Sequence, residues 1–241
     1  MVWGTGDIIG QEQFGKLMAT YPKETASIYP PIDMDGATEK LAEQAANEDR
    51  SDPAASEFRL ALTRLMSSVK KGDAAQTDLY ARKCLDMALA NVKKDINWLS
   101  QFVTVYTILY TDRINHKDLD MALYFANKAV EAARMGEGKL DPSLSGRLLG
   151  SSLVGKASIQ VRKSDWNDAA ETYRMGADAY ANCKDYLMQA ETLRMCGWCR
   201  EKAYDAERAT ECYIEGFHLA DKLSSDLIKH SSYPLLLLKL L

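Results

Sequence analysis

Proline is scarce, with six residues in a chain of 241. That excludes long Pro-rich linkers and leaves room for extended helical stretches. Strand signals are also thin. Alternating Val/Ile/Thr runs are nearly absent, while Ala, Leu, Met, Lys and Glu dominate, so an all-α fold is expected. No segment reaches the roughly 18–20 consecutive apolar residues of a membrane span. The longest run, residues 235–238 followed by Lys239, Leu240 and Leu241, is far too short. Residues 1–7 lack the basic and apolar regions of a secretory signal, which makes a cytoplasmic protein with no membrane span the expectation.

A basic excess is missing as well. The net charge is −4, so no nucleic-acid partner is expected. The pairs Lys70-Lys71 and Lys93-Lys94 fall at predicted helix ends, where they complement the helix dipole. Histidine is limited to His116, His218 and His230, which are dispersed. No Ser/His/Asp or paired-carboxylate arrangement stands out by spacing, so no catalytic residue, cofactor or enzymatic activity is assigned. Gly4, Gly6 and Gly10 have the wrong spacing for a dinucleotide loop, and no strand precedes them.

The five cysteines are odd in number and lie mostly late in the chain, unlike a disulfide framework, which favours a reducing compartment. Cys196-Gly197-Trp198-Cys199 is a C-x-x-C, but it falls within a predicted helix rather than at a helix N-terminus that would activate a thiolate. Cys183, Cys196, Cys199 and Cys212 are separated by 12, 2 and 12 residues. Four thiolates can close a tetrahedral zinc site, with His218 a further potential ligand. Packing is the preferred reading for these cysteines, and no metal is assigned. Met66, Met87, Met121, Met175, Met188 and Met195 are expected to fill space between helices.

What the chain does contain is helical periodicity. Residues 1–54 are broken by Gly and Pro around two short helical candidates, 11–20 and 37–47, and read as an N-terminal cap or arm. From about Ser56, the residues Phe58, Ala61, Leu62, Leu65 and Met66 recur on one helix face, and Gly72-Asp73 ends the run. Further helices are predicted around Leu79 to Ala88 and at 98–113 and 119–134. Residues 135–146 are predicted to form a loop, followed by helices near 147–163, 166–182, 185–203 and 206–222. In 223–241, Pro234 opens an apolar segment expected to cap the array or to support self-association.

Four helices carry the same small/middle/small pattern: Ala81/Leu85/Ala88, Ala122/Ala126/Ala129, Ala169/Tyr173/Gly176 and Ala209/Tyr213/Gly216. Their starts lie 41, 47 and 40 residues apart. Small residues at i and i+7 share a face and let helix backbones approach, so stacked helix pairs are predicted over 55–222. Lys163-Ser164-Asp165-Trp166-Asn167-Asp168-Ala169-Ala170-Glu171-Thr172-Tyr173 resembles the turn and second helix of a tetratricopeptide repeat (TPR), and His116-Lys117-Asp118-Leu119-Asp120-Met121-Ala122 is a weaker copy. The period is nearer 40 than that family's length of about 34, the closing proline is missing, and Lys156 stands where the family is apolar.

The resemblance implies a right-handed superhelix of about four antiparallel helix pairs, a TPR-like α-solenoid whose first helices line a concave face. It further implies partner contacts at Thr107 and Thr111, at Ser158 and Arg162, and at Arg194, Trp198 and Lys202. The function expected on that basis is non-catalytic binding of a peptide or protein, as an adaptor or chaperone. The alternative is a structural subunit packing through its repeat surface and apolar C-terminus.

Overall fold

The computed structural model describes residues 52–222, with side chains to residue 220. The predicted helices at 11–20 and 37–47, all but the last three residues of the 1–54 arm, and the 223–241 segment with its self-association lie outside the described residues.

Among the described residues there are eight α-helices and no strand. They are α1 Pro53–Lys71, α2 Ala74–Val92, α3 Leu99–Asn115, α4 Leu119–Met135, α5 Pro142–Lys163, α6 Trp166–Asn182, α7 Tyr186–Lys202 and α8 Ala206–Lys222, with a 3₁₀ turn Ile96–Trp98 before α3. The all-α expectation holds. Each helix packs on the next in chain order, and connections this short make neighbours antiparallel. None of these helices is long and apolar enough to cross a membrane.

One turn design recurs five times. Gly72, Lys117, Ser164, Lys184 and Tyr204 have φ between 59 and 69°, and an aspartate follows each of them. The amides of Asp73, Asp118, Asp165, Asp185 and Asp205 donate to the carbonyls of Ser68, Arg113, Gln160, Tyr180 and Arg200 at 2.9–3.0 Å, closing the preceding helix. The same aspartates open the next helix. The carboxylates of Asp73, Asp118, Asp185 and Asp205 accept from the amides of Gln76, Met121, Met188 and Arg208. Asp165 makes no such side-chain bond. Four of the five aspartates therefore close one helix through the amide and cap the next through the carboxylate, and all five turns reverse the chain in two or three residues.

Only Gly72 is a glycine at this left-handed position. Tyr204, at φ 61° and 98% exposed, adopts it without gaining burial for its ring. A left-handed non-glycine residue costs about 1–2 kcal/mol, and the extra freedom of glycine in the unfolded chain recovers part of that. Tyr204→Gly is expected to raise stability by up to about 1 kcal/mol, read as a higher urea midpoint at unchanged m. A lower midpoint would mean that the tyrosine makes an interaction outweighing the strain.

The predicted loop at 135–146 is shorter in the structure: α4 ends at Met135 and α5 begins at Pro142. Pro142 sits where its missing N–H costs nothing, and Asp141 accepts from the amides of Ser143 and Leu144. Gly146, read as a loop residue, lies inside α5, where a Cβ would come within 2.5 Å of Cys183 Cβ. The 47-residue spacing from Ala122 to Ala169 follows from this connection and from the 22-residue α5. The 40-residue spacing from Ala169 to Ala209 follows from two 17-residue helices and their three-residue turns.

The core is built largely from the small/middle/small pattern. Ala122, Ala126, Ala129, Ala169, Tyr173, Gly176, Ala209, Tyr213 and Gly216 are all buried, and Leu85 is half-buried. Larger side chains such as Leu65, Val105, Ile159 and Leu193 fill the remaining space. The methionines depart from expectation. Met87 and Met195 are partly buried against the core, but Met66, Met121, Met175 and Met188 are exposed. The alanine-rich seams bring helices too close to need long gap-filling side chains, which leaves these four on outer faces.

Candidate partner-binding surface

The seven residues implied by the resemblance are spread over three helices. On α3, Thr107 is half-buried and Thr111 exposed, and the Thr111 hydroxyl donates to the Thr107 carbonyl at 2.8 Å. On α5, half-buried Ser158 donates to the Gly155 carbonyl at 2.7 Å, and Arg162 is exposed in the last turn. α3 packs against α5, whereas α5 and α7 scarcely touch. The α3 and α5 residues thus sit on neighbouring helices, and the α7 residues stand apart from them.

On α7, Arg194 is half-buried and engaged by the Glu191 carboxylate of its own helix, with both Nε and Nη2 donating. Glu191 thereby holds the guanidinium above its ordinary pKa against the opposing effect of burial. Trp198 is half-buried and meets Trp166 edge-on, with ring centroids 5.5 Å apart and planes at 90°. Lys202, one turn further on, places Nζ 5.9 Å from the Trp198 ring centroid. Trp198 and Lys202 therefore join Trp166 in one cluster. Lys202 also borders a shallow cleft of about 390 Å³ with Asp165, Trp166, Asp168 and Tyr204.

A second cleft is apolar and lies on other helices. Between α2, α3 and α4 lies an open, mostly apolar cleft of about 310 Å³, lined by Leu89, Val92, Leu99, Phe102, Tyr106, Ala132 and Met135, with Lys128 and Glu131 at its edge. Leu89 and Met135 are 59% and 57% exposed. Two aromatic rings line it: Phe102 stacks on Tyr106 at 6.5 Å, and outside the lining Tyr106 stacks in turn on Phe125 at 6.4 Å. Burial pushes the Tyr106 phenol above its ordinary pKa, so it enters the cleft neutral. Lys128 Nζ lies 2.8 Å from Glu131 and 5.9 Å from the Tyr124 ring, which leaves a balanced charge pair on an apolar rim. The signal available in the sequence was modest. Leu89 follows the buried Ala81/Cys84/Ala88 stripe by one residue, and Met135 is the last residue of its helix, so both fall off the core face.

Among the described residues, no group of three or more His, Cys, Asp or Glu side chains could hold a metal ion. Cys183 caps the end of α6 against Gly146, while Cys196, Cys199 and Cys212 are buried in the α6–α8 core.

No protein-family model matches the chain, and no curated protein matches it either.

Proposed function

We propose that this chain is a non-catalytic protein-binding module built as a TPR-like array, a right-handed superhelix of antiparallel helix pairs. On this reading it takes an apolar segment of a partner protein into the α2–α4 cleft. The observation that carries the reading is that cleft: an aromatic wall open to solvent, with two large aliphatic side chains more than half exposed at its rim. Protein–protein contacts concentrate their affinity in such apolar pockets surrounded by polar groups. The five repeated turns and the four buried small-residue seams support the repeat architecture.

The occupant is a peptide segment with two or more large apolar anchors, and the paired Lys128 and Glu131 charges at the rim favour a partner with little net charge of its own. Panning a random-peptide library on the purified chain is expected to enrich sequences of this kind. Their binding should fall at least tenfold for Leu89→Asp/Met135→Asp, two exposed sites where the substitution leaves the core intact. The Trp198→Ala/Lys202→Ala variant should bind as the parent does. Loss confined to the latter variant would move the site to the α7 corner, and no enrichment at all would overturn the module reading.

A further inference from the structure

The C-x-x-C spacing draws attention to Cys196 and Cys199, but the fold pairs Cys196 with a different cysteine. Cys196 on α7 and Cys212 on α8 face each other across the α7–α8 hairpin, with Sγ atoms 3.2 Å apart. Both are free thiols, 1% and 6% exposed. Their hydrogen bonds run in a line, with Cys212 donating to Cys196 Sγ and Cys196 donating to the Ala170 carbonyl at 3.3 Å. A disulfide bond is about 2.0 Å long, so bond formation asks the two sulfurs to approach by only about 1 Å. We infer that Cys196 and Cys212 form a peroxide-responsive thiol pair, which closes to a reversible covalent staple between α7 and α8.

The surroundings assign an order to the two sulfurs. Cys212 is held below the ordinary thiol range, chiefly because Cys196 can turn its proton toward the Cys212 thiolate. The guanidiniums of Arg174 and Arg200 add to this, while burial and the Glu215 carboxylate oppose it. Both arginines are fixed in place, Arg174 by Glu215 and Asp178, and Arg200 by Glu171 and Asp205. Cys196 is pushed the other way by the shared hydrogen bond and by burial. Cys212 is also the more exposed of the two.

The chemistry balances with hydrogen peroxide as the oxidant. The Cys212 thiolate attacks one peroxide oxygen, breaking the O–O bond. This gives a sulfenic acid and a hydroxide, which takes up the proton released on ionisation and leaves as water. Cys196 sulfur then attacks the Cys212 sulfur, forming the S–S bond and breaking the S–O bond. The departing hydroxide takes the Cys196 proton as a second water. Two thiols are oxidised by two electrons and one peroxide is reduced. A dithiol reductant reverses the reaction by exchange.

The test uses the full chain treated with stoichiometric hydrogen peroxide. The expected product is a monomer that has lost two hydrogens and retains three of its five thiols. Tryptic mapping should join the peptide containing Cys196 and Cys199 to the one containing Cys212. Because the first peptide holds two cysteines, Cys199→Ser must keep the cross-link, and Cys196→Ser and Cys212→Ser must each abolish it. The thermal midpoint of the parent should rise by several degrees on oxidation and return with dithiothreitol. The inference is overturned if oxidation stops at Cys183, or if only intermolecular disulfides form. A cross-link lost in Cys199→Ser would equally overturn it.

Discussion

Gly197→Ala is expected to destabilise the protein by about 2 kcal/mol, while Gly176→Ala at an equally buried helical position is expected to leave it as stable or stabilise it by up to about 1 kcal/mol. In a helix interior alanine is favoured over glycine by about 1 kcal/mol, so the intrinsic contribution is the same at both sites. Their surroundings are not. A Cβ at Gly197 would lie 2.6–2.9 Å from three atoms of the Tyr213 ring. Tyr213 is buried in the middle of α8, where a displaced ring would strike the packed core. A Cβ at Gly176 meets Leu153, Val154 and Thr192 at 3.5 Å, which is ordinary contact. Overpacking a tight core costs about 1–3 kcal/mol, and at Gly197 that outweighs the helical gain. Urea unfolding at constant m measures both. Equal effects of the two substitutions would show that the Tyr213 ring is free to move.

The second large effect is alkaline. Stability is expected to hold up to about pH 9 and to fall between pH 9 and 12. Burial pushes the Cys84 and Cys199 thiols from 9.0 to about 12 and the Tyr173 and Tyr180 phenols from 10.0 to about 12. Tyr213 moves in the same direction. In each case the folded chain keeps a proton that the unfolded chain releases. The stabilisation is therefore complete below the unfolded pKa and is lost as pH climbs to the folded one. Each pH decade in which the two states differ by one proton removes about 1.4 kcal/mol. For Tyr173 alone the loss is on the order of 3 kcal/mol, and several such groups rival the roughly 5–15 kcal/mol that holds a domain folded. Urea midpoints from pH 7 to 11 should show the decline, and Tyr173→Phe/Tyr180→Phe should flatten part of it. The same slope in that variant would place the titrating groups elsewhere.

Much of the fold was legible because helix formation is local. Six prolines, sparse strand signals and a three- to four-residue apolar period specify an all-α chain. The repeated small/middle/small pattern identified the buried seams, and the Asp165-Trp166 turn was visible as a turn. Its partner aspartates at Asp73, Asp118, Asp185 and Asp205 do not stand out as one device in the sequence, because their role depends on the left-handed residue before each. Pro142 falls inside the predicted 135–146 loop because composition alone does not reveal that Asp141 caps a helix there.

The candidate site was less legible, for a geometric reason. Periodicity tells which face of a helix is buried but not which residue of which neighbour it meets. That depends on crossing angle and axial offset, which one helix's sequence does not contain. The sequence therefore determined that Cys196 and Cys212 are core residues on adjacent helices, and only the α7–α8 packing decided that their sulfurs touch. It likewise marked Gly176 as a small residue at a seam and placed Gly197 within a helix, and only the placement of Tyr213 decided that Gly197 has no room for a methyl group. The apolar cleft belongs wholly to tertiary structure, since it exists only where α2, α3 and α4 leave Leu89, Phe102 and Met135 facing the same space.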